Sequence, residues 1–177
     1  TGSDVDGPAT NYVVLAGPTN GTLSGVAPDL VYRGATNYFG PDSFTFSVND
    51  GSLTSGVVTV TIVLTNINDA PIAYSQSVTN GEDTSFGITL AGSDVDGPVT
   101  NYVVLAGPTN GTLSGVAPDL VYRGTTNYYG TDSFTFSVND GSLTSGVATV
   151  TIVLTNINDA PIAYSQSVTN GEDTSFG

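Results

Sequence analysis

The chain repeats itself at a fixed spacing of 90 residues. Gly2-Ser3-Asp4-Val5-Asp6-Gly7-Pro8 returns as Gly92-Ser93-Asp94-Val95-Asp96-Gly97-Pro98. Residues 1–87 and 91–177 differ at only six positions: 1, 9, 35, 39, 41 and 58. A fixed period this long marks an array of whole domains, and each period has enough residues for its own sandwich core. Near-identical copies suit work done by repetition, such as length, stiffness or many weak contacts. A catalytic site needs only one copy.

The full period runs from about Asn68 to Ile157 and reads as short strands between turn signals, with no helical periodicity. The spacing predicts strands at Ile72–Val78, Thr84–Ala91, Asn101–Ala106, Thr112–Leu113, Leu120–Arg123, Ser133–Val138 and Val147–Asn156. In the last two, Phe134, Phe136 and Val138, and then Val150, Ile152 and Leu154, alternate with Ser and Thr. This is the period-2 pattern of strands with one buried face. About seven such strands per period predict all-β, tandem seven-stranded Greek-key immunoglobulin-like β-sandwiches, with a closed barrel as the alternative. Pro108-Thr109-Asn110-Gly111 signals a tight turn, read as a type I′ hairpin. Tyr128 precedes a late strand, so it is either the hydroxyl of a tyrosine corner or a plain core aromatic. Asp42 and Asp132 are read as turn residues that accept backbone N–H groups.

Composition removes many functions. There is no Cys, His, Met, Trp or Lys. No disulfide framework is possible, and the side chains for most general-base or nucleophilic chemistry are missing, so an enzyme is not expected. Sixteen acids face two bases, Arg33 and Arg123, for a formal charge of −14. Nucleic acid is excluded as a partner, because affinity there comes from Lys and Arg at phosphates. Membrane insertion is not expected, as no segment is long and apolar enough. The abundance of alternating apolar residues argues against disorder despite the charge.

Twelve of the acids fall in clusters once placed on the predicted topology. Asn66, Asn68, Asp69, Asp94, Asp96 and Asp140 converge on one domain junction. Glu82 and Asp83 face the next junction, beside Asn156, Asn158 and Asp159. Packed carboxylates repel and lose hydration unless a cation sits among them. Hard oxygen ligands without His or Cys suit Ca²⁺ rather than zinc or copper. The competing reading is that each acid only caps its own turn, since Asp-Gly and Asn-Asp-Gly are ordinary turn formers.

The order Asn-Asp-Ala-Pro, Gly-Glu-Asp-Thr, Gly-Ser-Asp-Val-Asp-Gly, Tyr-x-Gly-x-Asp-Ser-Phe-Thr-Phe and Asn-Asp-Gly resembles the bacterial cadherin-like, immunoglobulin-like tandem repeats of large secreted or surface adhesins. The resemblance covers the whole chain. It implies an extracellular or cell-surface location. More distantly, the chain is similar to cadherin repeats, and that resemblance implies calcium ligands at Glu82, Asp94, Asp96, Asp140, Asn66, Asn68 and Asp69. Two departures imply fewer or weaker ions. The linker Asn66–Pro71 is one residue shorter than in cadherins and begins with Asn, and the mid-domain Asp-Arg-Glu element has no counterpart.

The domain division expected is 1–67 as a first repeat without its first strand, 68–157 as a complete sandwich, and 158–177 as a linker and first strand. That final segment belongs either to a longer continuous array or to head-to-tail strand donation, with Ile162–Val168 completing a neighbouring copy. Either would set Asp159, Asp4, Asp6 and Asp50 at one junction and Glu172 and Asp173 near another. The functional expectation is a spacer or fibre module stiffened by Ca²⁺ and partnered by its own copies or adjacent repeats. The alternative is a module binding cell-surface glycans or proteins, with Tyr12, Tyr74, Tyr102 and Tyr164 as candidate contacts.

Overall fold

A computed structural model describes residues 2–169, 171, 172 and 175 of the chain. Every regular element among them is a strand. In chain order these are β1 (Asn11–Ala16), β2 (Gly21–Val26), β3 (Asp29–Gly34), β4 (Gly40–Asn49), β5 (Val58–Leu64), β6 (Ile72–Ala73), β7 (Gln76–Gly81), β8 (Ser85–Thr89), β9 (Gly92–Ser93), β10 (Asn101–Ala106), β11 (Gly111–Val116), β12 (Asp119–Gly124), β13 (Gly130–Asn139) and β14 (Ala148–Thr155). The chain divides into two compact units. One holds Thr1–Ala73, Ala91–Tyr102 and Ser137–Gly146, and the other holds Tyr74–Leu90, Val103–Phe136 and Val147–Gly177.

The second repeat is an immunoglobulin-like sandwich. One sheet has the order β10-β13-β14-β7 and the other β11-β12-β8. Alternation decides which faces are buried. Phe134, Phe136 and Val138 of β13 and Val150, Ile152 and Leu154 of β14 point inward, and Ile88, Leu120 and Tyr122 meet them from the other sheet. Thr and Ser take the outward positions, where β-branched and hydroxyl side chains suit a pleated surface.

Two local expectations need correction. Ile72–Val78 is not one strand. It breaks at Tyr74-Ser75, so that β6 pairs antiparallel with β9 while β7 crosses to lie parallel on β14. At the crossing the Ser75 hydroxyl accepts the Thr149 N–H at 3.0 Å, replacing a ladder bond that the break removes. The Asn110-Gly111 turn is not a hairpin either, because it carries the chain from β10 in one sheet to β11 in the other. Gly111 is needed for a different reason: a Cβ there would lie 2.5 Å from the Tyr122 ring. The true hairpin is β11–β12, closed at Ala117-Pro118 with Val116 opposite Asp119.

The first repeat reproduces this register. Phe44 faces Val60 on β4–β5 just as Phe134 faces Val150 on β13–β14. Its sheets, however, are β1-β4-β5 and β2-β3, so among the described residues β5 and β3 have no outer neighbour where β14 and β12 have β7 and β8. The core opens accordingly. Tyr122, Phe136 and Val150 are fully buried, while Tyr32, Phe46 and Val60 are only half-buried. A cleft of about 160 Å³ lies over Tyr12, Leu30, Phe44, Phe46 and Val60.

Candidate metal centre

The Asp94-Val95-Asp96-Gly97 loop folds on itself, with Asp94 Oδ1 accepting the Asp96 N–H at 2.8 Å. The linker from the first repeat closes over this loop. Asp69 donates its N–H to Asp96 Oδ2, and the Asn68 amide donates to Asp140 Oδ2 at 2.8 Å. Asp140 sits at the end of β13, where its Oδ1 accepts the N–H groups of Ser142 and Leu143 at 2.6 and 2.8 Å. The Asp140 carboxyl is held below the usual aspartate range, first by the Leu143 N–H and then by the Asn68 amide and the Ser142 N–H.

The structure therefore gathers Asn68, Asp69, Asp94, Asp96 and Asp140. Asn66 remains exposed. One buried oxygen, Asp94 Oδ2, has no hydrogen-bond partner. Among the described residues no group of three acids is arranged to hold a metal by itself. Any ion here needs the Asn68 carbonyl oxygen or backbone carbonyls in its shell, ligands that Ca²⁺ accepts.

The first repeat has the same loop. Asp4 Oδ1 accepts the Asp6 N–H at 2.9 Å, and Asp50 Oδ1 accepts Ser52 and Leu53 at 2.6 and 2.8 Å. Those two N–H groups, Leu53 foremost, keep the Asp50 carboxyl below the usual aspartate range.

Glu82 makes the other candidate. Only 2% of its surface is exposed. Its Oε1 accepts the Asn156 amide at 3.1 Å and the Ile157 N–H at 3.0 Å, so β7 is tied to the linker that follows β14. Its Oε2 is buried and unpartnered. A carboxylate buried with one bare oxygen costs several kcal/mol (of order 3–5) unless a counter-charge reaches it. Asp83 is turned elsewhere: it sits at φ +61° and its Oδ1 accepts the Asn127 N–H at 3.0 Å, bracing another left-handed residue. Asn158, Asp159 and Glu172 are exposed, and Asp173 lies outside the described residues.

The carboxylates that sequence reading assigned to turns do more than cap them. Asp132 is 4% exposed. It accepts the N–H groups of Thr109, Asn110 and Ser133 and the Tyr122 hydroxyl at 2.8–3.0 Å. Asp42 repeats the pattern with Thr19, Asn20, Ser43 and Tyr32. Parity carried the signal, since Asp132 shares the inward face of Phe134 and Phe136. Burial pushes the Asp132 carboxyl up, but its four hydrogen bonds outweigh that and hold it below the usual range. The same contact raises the Tyr122 phenol, and raises Tyr32 to about 12, after burial as the leading cause in both. The Tyr128 hydroxyl closes only its own loop, donating to the Thr131 carbonyl at 3.0 Å, so it is not a corner tied upstream. Of the candidate surface aromatics, Tyr12 and Tyr102 are half-buried, while Tyr74 and Tyr164 are exposed.

Residues 1–63 and 68–153 match the bacterial Ig domain family. Integrin beta-like protein A of Dictyostelium discoideum is 34% identical over 125 residues, which is 61% of this chain and 6% of that protein. The chain thus spans a small fraction of this relative. Among solved structures, the first two domains of human mucin-like protocadherin align at a TM-score of 0.49 with 15% identity, over 82% of this chain and 85% of that one. An endo-fucoidan hydrolase of glycoside hydrolase family 107 aligns at a TM-score of 0.42 with 23% identity, over 86% of this chain and 24% of that one.

Proposed function

Because the chain belongs to the bacterial Ig domain family, we propose that it is a structural repeat module of an extracellular fibre or adhesin stalk, stiffened by Ca²⁺ at its domain junctions. The observation that carries the calcium reading is the pair of buried, unpartnered carboxylate oxygens, Glu82 Oε2 and Asp94 Oδ2, each beside a linker. A hard divalent cation satisfies bare carboxylate oxygens and would bind Asn68, Asp69, Asp94, Asp96 and Asp140 to one another. The shortage of bases supports a cation over any other counter-charge, since Arg33 and Arg123 are the only two in the chain. The adhesin reading is supported by the name of the integrin beta-like relative. The repeated sequence supports a mechanical rather than a catalytic role.

The same reading includes assembly of copies head to tail, one copy's strand completing the open first sandwich of the next. An unpaired sheet edge beside an exposed core is a template for such addition.

Small-angle scattering of the chain with calcium and with a chelator tests the stiffening. The scattering profile should extend and sharpen with calcium, and Asp94→Asn with Asp96→Asn should abolish the difference. A profile indifferent to calcium in the unaltered chain would count against cation-stiffened junctions.

A further inference from the structure

We propose that the outward face of the β11-β12-β8 sheet binds the same face of a second copy about a two-fold axis at Val121, so that Asp119 of each copy meets Arg123 of the other. The contact is lateral and is independent of the calcium and head-to-tail readings.

Strand β12 carries the pattern. Alternation turns Leu120 and Tyr122 into the core and leaves Asp119, Val121 and Arg123 outward and exposed. An acid, an apolar residue and a base therefore stand in line, with Val121 at the midpoint. A two-fold axis at Val121 reverses that line in the second copy. Each acid then lies opposite a base, and Val121 opposite itself. A two-fold contact needs a surface that complements itself, and this line does so by charge. The reach is sufficient as well. Packed sheets lie about 10 Å apart, a gap that a long Arg and a short Asp side chain span together.

Charge sets this face apart from the rest of the chain. Sixteen acids face two bases, and each repeat has one base. Both bases occupy the same place, Arg33 on β3 and Arg123 on β12, exposed and with no ion-pair partner among the described residues. Asp119 is the one acid on β11, β12 and β8, so the face is neutral on a chain whose net charge otherwise repels its copies. The first repeat has the same line as Asp29, Val31 and Arg33, with Val31 64% exposed. Exposed ion pairs are weak singly and gain from such repetition.

Gly87 is an independent observation. It lies opposite Val121 on β8, in the middle of the face. Glycine inside a strand weakens the strand and marks a close approach. Nothing in the repeat makes that approach. A Cβ at Gly87 would meet only the Leu120 carbonyl oxygen, 3.9 Å away, and the φ there is not in the left-handed region. Ser114 flanks Val121 on the other side. The middle of the face is therefore low, with room for the Val121 of a second copy. Val116, level with Asp119, is 83% exposed and adds apolar area beside the ion pair.

Charge exchange tests both the face and its symmetry. Three full-length chains are compared by sedimentation, and by energy transfer between copies labelled at their amino termini. The first is unaltered. The second carries Arg33→Asp and Arg123→Asp. The third carries Asp29→Arg, Arg33→Asp, Asp119→Arg and Arg123→Asp, which exchange acid for base at unchanged net charge. The unaltered chain should associate as its concentration rises, and the second chain about tenfold more weakly or not at all. The third should associate with itself as the unaltered chain does, yet not mix with it, because the two-fold contact would set Arg against Arg and Asp against Asp. The second chain keeps the hydrogen bond from the Thr89 hydroxyl to Asp119, so the test stands even where the fourfold exchange disturbs folding. An unaltered chain that stays monomeric at every concentration would overturn the proposal. Undiminished association of the second chain would overturn this face and leave head-to-tail assembly standing. Free mixing of the third chain with the unaltered one would overturn the two-fold register.

Discussion

The Tyr122 hydroxyl donates to Asp132 Oδ2 at 2.8 Å at the end of the sandwich where β11 and β13 begin, and Tyr32 and Asp42 repeat the contact at 2.8 Å. One carboxylate thereby fastens three segments: the turn entering β11, the strand β12 and the start of β13. The backbone N–H groups of Thr109 and Asn110 have no strand partner at the crossover, and the carboxylate supplies the acceptors.

Removing that acceptor should therefore be among the more damaging single changes. Asp132→Ala strands two turn N–H groups and a phenol, and should destabilise the second repeat by about 3 kcal/mol or more. Tyr122→Phe leaves the turn bonds in place and should cost about 1.5 kcal/mol. Urea denaturation of the two variants checks the order.

The same contact sets a pH dependence. The folded Asp132 carboxyl lies below its unfolded value of about 3.9, so its contribution is fully present above that value. It is lost as pH falls through the folded value, and stability should decline below about pH 4. At the other end the folded Tyr122 phenol lies above its unfolded value of about 10. Its contribution is present below that value and is lost as pH rises through the folded one. Melting temperature measured across pH should fall on both sides. Tyr122→Phe should reduce the alkaline fall, leaving the part due to Tyr32, and should also soften the acid fall, because Asp132 loses one of the hydrogen bonds that hold its carboxyl low.

Burial separates the two repeats although their sequences nearly coincide. Phe136→Ala empties a fully buried site and should cost about 3–5 kcal/mol. Phe46 is half-buried, so Phe46→Ala should cost roughly half as much. Parallel denaturation of the two variants tests this, and equal losses would mean that the first core is as closed as the second.

Gly111 tests the close approach at the crossover. A methyl group there must displace the Tyr122 ring, so Gly111→Ala should destabilise by about 1–3 kcal/mol. Calorimetry would show a lowered melting temperature. If the glycine served a positive φ in a hairpin instead, a Tyr122→Leu background, which removes the ring, would make no difference to the loss.

Much of the sandwich was legible because one physical rule covers it. Period-2 alternation in Ser133–Val138 and Val147–Asn156 names both the strands and their inward faces. The same rule applied one step earlier puts Asp132 inside, but a turn motif masked it. Asn110-Gly111 misled because a tight-turn signal carries no information on whether the next strand pairs within one sheet or crosses to the other. The break at Tyr74-Ser75 was illegible for a related reason: it follows from which sheet each half pairs with, a long-range choice. At the junction, the convergence of Asn68 and Asp69 on Asp96 and Asp140 followed from strand direction alone, as did Glu82 meeting Asn156. The orientation of Asp83 toward Asn127 did not, because a neighbouring side chain in sequence need not share a site.

The most direct test of the calcium account is thermal melting of the chain with calcium and with a chelator, alongside Glu82→Gln and Asp94→Asn. The account predicts a melting temperature raised by calcium, reversed by chelation and reduced in both variants. An identical melting temperature with and without calcium in the unaltered chain would contradict it, and would leave these carboxylates as caps of their own turns.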